Sequence, residues 1–165
     1  MTVIFLLGPG MWDPSKGSTT MLSPMQVRRQ LAKILENAGH NVILMEDEPD
    51  LVGEDMIQKF DRLLRRNVTE VVAYWPPLAK MQTTYDEFIL LCDRHDFLKA
   101  ESIRVWLVHH ASVAEIRKDE FLILEKGNRS RYLTAVAKLG VHPLVWKDEE
   151  ELCEQIKLLS TEIDS

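Results

Sequence analysis

A chain of 165 residues, of which 45% are hydrophobic and 28% charged, is long enough to bury a core and has an ordinary globular composition. The net charge of −6 lacks the basic excess of a non-specific nucleic-acid binder, so we expect no nucleic-acid polymer as partner. The sequence has no apolar run long enough to span a bilayer and no basic, cleavable leader. We therefore expect no membrane partner and a cytoplasmic location.

Strand-like and helix-like segments alternate along the whole chain. The helix-like segments have clear ends: the first begins at Ser23-Pro24 and stops at Gly39. A parallel sheet with right-handed crossovers accommodates this alternation. The sequence thus predicts a single α/β domain over residues 1–165, a flavodoxin-like three-layer sandwich with a five-stranded parallel sheet in order 2-1-3-4-5. The strands are predicted near residues 3–8, 41–45, 70–75, 103–109 and 141–146.

Two segments near the second strand carry charge. The acidic turn from Glu46 to Asp50 follows the strand, and such turns are most often only solvated. The next helix opens at Glu54-Asp55, and its apolar spacing predicts that Ile57, Phe60 and Leu64 face the core.

The segment from Pro9 to Leu22 follows the first strand and is rich in Gly, Pro, Ser and Thr. Its start, Gly8-Pro9-Gly10, lacks the third glycine of the dinucleotide fingerprint, and Lys16-Gly17-Ser18 has the wrong order for a Walker loop. Loops of this length are often functional, so either a ligand lid or a plain connector fits the pattern.

Metal and triad chemistry find no support in the sequence. The histidines are scattered without a metal-binding spacing, and no serine sits in a Gly-x-Ser-x-Gly elbow, so we expect no metal and no cofactor. His109-His110 closes the fourth strand and either lines a cleft or is an ordinary strand end. The remaining candidates are carboxylates: Asp47, Asp50, Asp61 on the second helix, and Asp86 with Glu87.

Glu87 lies where a strand that ends at Trp75 leads, through a loop, into a helix opened by Thr83-Thr84. Two interpretations compete. In a capping box, Thr84 caps the helix and Glu87 reaches back to the Thr84 amide. Alternatively, Glu87 faces a cleft at the carboxyl edge of the sheet, where open α/β sheets bind their ligands, and acts as a nucleophile or general base.

The order of these features resembles the nucleoside 2-deoxyribosyltransferase-like superfamily over roughly the first 95 residues. The similar features are Leu7-Gly8-Pro9, the long loop, an Arg-x-x-Leu helix ending in Ala38-Gly39-His40, and Asp61 before the strand run 67–73. Thr84-x-x-Glu87 is similar to that family's Gly-Thr-x-x-Glu element, although Thr83 replaces the glycine and residues 78–82 lack the usual Asp. Toll/interleukin-receptor-like domains are a second resemblance.

The first resemblance implies cleavage of an N-glycosidic bond, or deoxyribosyl transfer, on a small-molecule nucleoside or nucleotide. Glu87 would be the nucleophile, and Asp61 a substrate-positioning or acid residue. The implied substrate-binding residues are Gly8, Pro9, Trp12 (stacking on the base), Trp75, Thr84 and Asp86. The second resemblance implies a non-catalytic nucleotide-sensing or protein-interaction domain. Such folds often complete their sites across a dimer, so a homodimer is one expectation.

Overall fold

The structure of the protein is a computed structural model, and it describes residues 2–8, 24–75, 87, 90–110 and 143–164. A short 3-10 turn, Met45–Asp47, follows the second strand. Residues 87 and 90–93 are helical, and we call them the Glu87 helix. The strands and helices are β1 (Val3–Leu7), α1 (Pro24–Asn37), β2 (Asn41–Ile43), α2 (Met56–Leu64), β3 (Glu70–Trp75), α3 (His95–Ala100), β4 (Arg104–His110), β5 (Pro143–Trp146) and α4 (Glu149–Asp164).

The sheet has five parallel strands in the order β2-β1-β3-β4-β5, which confirms the predicted topology. In the register, Leu7 pairs with Ala73, and Trp75 pairs with His109. The chain leaves β1 towards β2 on one side and returns to β3 on the other side. The carboxyl ends of β1 and β3 therefore form the topological switch point of the sheet.

Apolar side chains of the sheet alternate between two cores, one on each face. On the first face, which we call the α2 face, Phe5 and Ala73 pack with Phe60 of α2 and Leu91 of the Glu87 helix. The opposite face, the α1/α4 face, is built from residues of β1, β3 and the two long helices: Ile4, Leu6, Val72, Leu31 and Ile156. Helices cover both faces because the strands are apolar on both sides. The layers are those of the predicted three-layer sandwich.

The helix α2 corrects one sequence prediction. Its start is a capping box in which Asp55 accepts a hydrogen bond from the Gln58 amide at 2.8 Å, and the Gln58 side chain accepts one from the Asp55 amide at 2.9 Å. Phe60 and Leu64 are buried as predicted, but Ile57 is 49% exposed, so its assignment to the core was wrong. We attribute this to the shortness of β2, which has three residues and offers little sheet surface beneath the first turn of α2.

Polar groups at the amino edge of the sheet are well satisfied. Glu70 opens β3 and is 4% exposed, and its carboxylate accepts hydrogen bonds from Arg104 Nε at 2.9 Å and from Trp106 Nε1 at 2.8 Å. At the start of β2, the buried His40 ring contacts the Ser160 hydroxyl at 2.8 Å. These bonds tie β3 to β4, and β2 to α4.

Candidate functional site

The candidate site lies at the carboxyl edge of the sheet, at the switch point between β1 and β3. Gly8 follows the last residue of β1, and Trp75 is the last residue of β3. The pairing of Leu7 with Ala73 brings Gly8 beside Tyr74. Of the predicted binding residues, Gly8 and Trp75 thus meet at one edge, whereas Pro9, Trp12, Thr84 and Asp86 lie outside the described residues.

Gly8 is packed so closely that only glycine fits. A Cβ atom at this position would lie 2.7 Å from Arg28 Cδ and 3.2 Å from Tyr74 Cδ1. Real Cβ atoms essentially never show the first distance, and the second is shorter than ordinary van der Waals contact. The Arg28 side chain has little freedom to move away, because it is held by the Gly8 carbonyl and by Glu46. The sequence predicted Gly8 as a site residue, and the structure gives a steric reason for the glycine.

Arg28, on α1, is a site residue that the sequence prediction missed. It is 1% exposed, its Nη1 donates to the Gly8 carbonyl oxygen at 3.3 Å, and its Nη2 forms an ion pair with Glu46. Its Nε is buried and has no hydrogen-bond partner among the described residues. The signal available in the sequence was its position. Arg28 lies three residues before Leu31 and seven before Leu35, so it is a charged residue on the otherwise apolar, buried side of α1.

The acidic turn after β2 is paired with cations rather than simply solvated, which corrects the expectation from its composition. Glu46 is bound by the buried Arg28, so this turn closes one side of the candidate site. The other pairs are Asp47 with Arg29 at 2.7 Å, Glu48 with Arg66 at 2.5 Å and Asp50 with Lys59 at 2.7 Å.

Glu87 is 4% exposed. Leu91, one helical turn later, is fully buried in the core of the α2 face. Residues four apart lie on the same side of a helix, so Glu87 shares the sheet-facing side with Leu91. The crossover from β3 to β4 leaves the sheet at the carboxyl end of β3, which is Trp75.

Two other helix starts show how capping residues behave in this protein. In the box of α2, Gln58 is exposed, and at the start of α4, Glu151 is half-buried while its amide donates to Asp148 at 2.9 Å. Glu87 is more buried than either equivalent. Thr84, the predicted cap, lies outside the described residues, so the capping box stays a prediction.

Asp61, on α2, forms an ion pair with Arg94. Both of its carboxylate oxygens accept hydrogen bonds from Arg94, one of them from Nη2 at 2.7 Å. The Arg94 guanidinium lowers the pKa of Asp61, and Asp61 in turn raises the pKa of Arg94. A carboxyl group with a lowered pKa is ionised at neutral pH and is a poor proton donor. The ion pair therefore favours a positioning role for Asp61 over an acid role.

An aromatic cluster closes the α1/α4 side of the same edge. Tyr74 is 2% exposed and stacks on Trp146, with ring centroids 5.9 Å apart, and burial raises the pKa of the Tyr74 hydroxyl. His110 approaches Trp146 edge-on at 4.7 Å, and its Nε2 lies 3.2 Å from the Lys147 carbonyl oxygen. Trp146 Nε1 is buried and has no hydrogen-bond partner in the described part of the chain.

The described residues contain no group of three or more His, Cys, Asp or Glu side chains that could hold a metal ion. No helix in these same ranges has the length and apolar character needed to cross a membrane.

Comparisons with known proteins show a structural likeness and no sequence match. The sequence matches no protein-family profile and no curated protein. Among solved structures, the chain is similar to a CMP N-glycosidase, BcmB, from Clostridium botulinum, with a TM-score of 0.48 and 14% sequence identity over 96% of this chain and 99% of that one. Nothing in these comparisons supports the resemblance to Toll/interleukin-receptor-like domains.

Proposed function

We propose that this protein breaks the N-glycosidic bond of a nucleoside or nucleotide at the carboxyl edge of its sheet, with Glu87 as the nucleophile. The observation that carries the proposal is the burial of Glu87, which is 4% exposed on the sheet-facing side of its helix. Burying a carboxylate is costly, and functional sites are one place where proteins accept that cost. The close packing of Gly8 against Arg28 and Tyr74 adds support, because it fixes the end of β1 and the buried Arg28 side chain together at this edge of the sheet.

The chemistry proceeds in two displacements. A Glu87 carboxylate oxygen forms a bond to the anomeric carbon while the bond from that carbon to the base nitrogen breaks. The bonding electrons leave with the base, which takes up a proton. Water, or the nitrogen of a second base, then attacks the same carbon, loses a proton and releases the carboxylate. Water gives hydrolysis, and a second base gives transfer of the sugar.

The other predicted residues have supporting roles in this proposal. The substrate-positioning or acid role of Asp61 remains part of the proposal, and its ion pair with Arg94 also ties α2 to the chain that follows the Glu87 helix. Substrate contacts from Pro9, Trp12, Trp75, Thr84 and Asp86 remain part of the proposal.

The experiment is a test for base release and for the covalent intermediate. Purified protein is incubated with a panel of ribo- and deoxyribonucleosides and their 5′-monophosphates, and free base is followed by chromatography. Intact-protein mass spectrometry of quenched samples then detects a sugar adduct. We expect free base from at least one panel member and a sugar mass on the peptide that contains Glu87. Release of base with no dependence on Glu87, or no release from any member, would reject the proposal.

A further inference from the structure

The buried guanidinium of Arg28 has one nitrogen, Nε, that donates to no acceptor among the described residues. Nη1 and Nη2 are engaged by the Gly8 carbonyl and by Glu46, whereas Nε has no partner among the described residues. The side chain is 1% exposed, so solvent does not replace the missing acceptor. Leaving a buried donor unsatisfied is costly, and such groups are rare enough to require an explanation.

The position of this donor is fixed by its neighbours. Arg28 Cδ, the atom bonded to Nε, lies 2.7 Å from the place that a Cβ on Gly8 would occupy. Nε is therefore beside the end of β1, at the switch point where the ligand of an open α/β sheet enters. An acceptor on a ligand that reaches Nε would therefore lie at this end of β1.

The local charges indicate what kind of acceptor fits. Arg28 is paired with Glu46, while the adjacent Arg29 bonds Asp47 and also lies 3.8 Å from Glu46. Two guanidinium groups and two carboxylates cancel, so these residues offer no excess positive charge to a phosphate. A neutral oxygen, either a carbonyl of the base or a hydroxyl of the sugar, can accept from Nε without disturbing the ion pair.

We propose that Arg28 Nε donates a hydrogen bond to a neutral oxygen of the bound nucleoside and thereby determines which nucleosides the site selects. This inference rests on the proposed function for the class of ligand. It assigns the ion pair with Glu46 a second role, which is to hold the guanidinium in place with Nε turned towards the ligand. Discrimination follows because an analogue that lacks the oxygen leaves the buried donor unpaired.

The test compares Arg28→Lys with wild-type protein, using pairs of ligands that differ in one oxygen. Lysine keeps a cation for Glu46 but has no donor at the position of Nε. The pairs are uridine with zebularine and inosine with nebularine for base carbonyls, and uridine with 2′-deoxyuridine for a sugar hydroxyl. Dissociation constants are measured by calorimetry. Arg29→Lys, at the neighbouring and more exposed arginine, is the matched control.

We expect wild-type protein to prefer the oxygen-bearing member of one pair by about tenfold to a hundredfold, as for a hydrogen bond with a charged donor. Arg28→Lys should remove that preference by weakening only the oxygen-bearing member, and Arg29→Lys should leave it intact. The pair that responds identifies the source of the oxygen. Equal weakening of both members of every pair would overturn the inference and leave Arg28 a purely structural residue.

Whether the acceptor is instead a phosphate oxygen is tested by comparing the binding of uridine and uridine 5′-monophosphate. If Arg28→Lys weakens the monophosphate selectively, the acceptor is the phosphate and the inference is wrong. Should Arg28→Lys fail to fold, the Nε–H signals of 15N-labelled wild-type protein serve instead. One slowly exchanging arginine signal should move with the oxygen-bearing ligand and stay with its analogue, and the absence of any such signal would contradict the inference.

The outcomes separate this inference from the proposed function. Selective binding that depends on Arg28, without base release, keeps the inference and rejects the glycosidic reaction. Base release with discrimination unchanged in Arg28→Lys keeps the reaction and rejects the inference. Wild-type protein that binds no ligand of the panel rejects both.

Discussion

Buried polar groups have hydrogen-bond partners at the amino edge of the sheet, whereas some at the carboxyl edge have none among the described residues. At the amino edge, the Trp106 indole donates to the Glu70 carboxylate, which Arg104 also binds. At the carboxyl edge, the Trp146 indole lies on the same face of the sheet but has no acceptor among the described residues, as is true of Arg28 Nε. Satisfied networks stabilise a fold, whereas an unsatisfied buried group requires an explanation, and a functional site is one of them. We infer that the amino edge serves stability and the carboxyl edge serves function.

The amino edge gives the largest expected change in stability. Glu70→Ala removes the acceptor of Trp106 and the ionic partner of Arg104, and we expect it to lower the free energy of unfolding by about 2–3 kcal/mol. Urea unfolding followed by fluorescence measures the change. Glu36→Ala, on the exposed side of α1, is the control and should shift stability by no more than about 0.5 kcal/mol. If Glu70→Ala lowers the free energy of unfolding no more than the control does, the amino edge is not the stabilising edge and the comparison fails.

Gly8→Ala tests the crowding at the carboxyl edge. The new methyl group would press against Arg28 and Tyr74, so we expect a loss of about 1–3 kcal/mol in stability together with weaker ligand binding. Gly53→Ala is the matched control, because nothing lies within 4 Å of its Cβ position and only its φ of +75° opposes alanine. The control should cost about 1 kcal/mol and leave binding unchanged. If both variants bind ligand normally, Gly8 does not belong to the site.

The ion pair of Asp61 predicts a smaller, pH-dependent effect. Because Arg94 lowers the pKa of Asp61 in the folded state, the pair stabilises the protein above the unfolded pKa of about 4, and this stability is lost as the pH falls through the lower folded pKa. Asp61→Asn should therefore cost up to about 1 kcal/mol at pH 7, since the side chain is 30% exposed and partly screened. In unfolding experiments the two proteins should begin to converge as the pH falls below ~4 and should meet once the pH is below the lowered folded pKa. Parallel curves down to low pH would contradict this account.

The fold was predictable from the sequence for a physical reason. Apolar runs bounded by Gly and Pro, with helical spacing between them, are local signals, and few topologies satisfy them. The prediction that Ile57 is buried was wrong because its helical spacing was right, but the strand below it is too short to cover it.

The site was only partly predictable. Gly8 directly follows a strand, and Glu87 follows the next one through a loop, so both could be found by position. The pair Arg28–Glu46 joins residues 18 apart in the chain, and no local pattern encodes such a contact. Spacing could not separate a cap from a nucleophile at Glu87 either, because both place a glutamate three residues after a threonine. Burial, which depends on tertiary packing, is the added information that distinguishes Glu87 from Gln58.

The most direct test of the central claim compares the same substitution at the two edges. Glu70 and Glu87 are both 4% exposed, so Glu70→Gln is the matched control for Glu87→Gln. With a nucleoside or nucleotide that the wild-type protein cleaves, Glu87→Gln should lower base release by about a thousandfold or more while the protein stays folded and binds ligand. Glu70→Gln should lose stability but retain base release per folded molecule. Wild-type base release by Glu87→Gln would remove Glu87 from the mechanism and contradict the account.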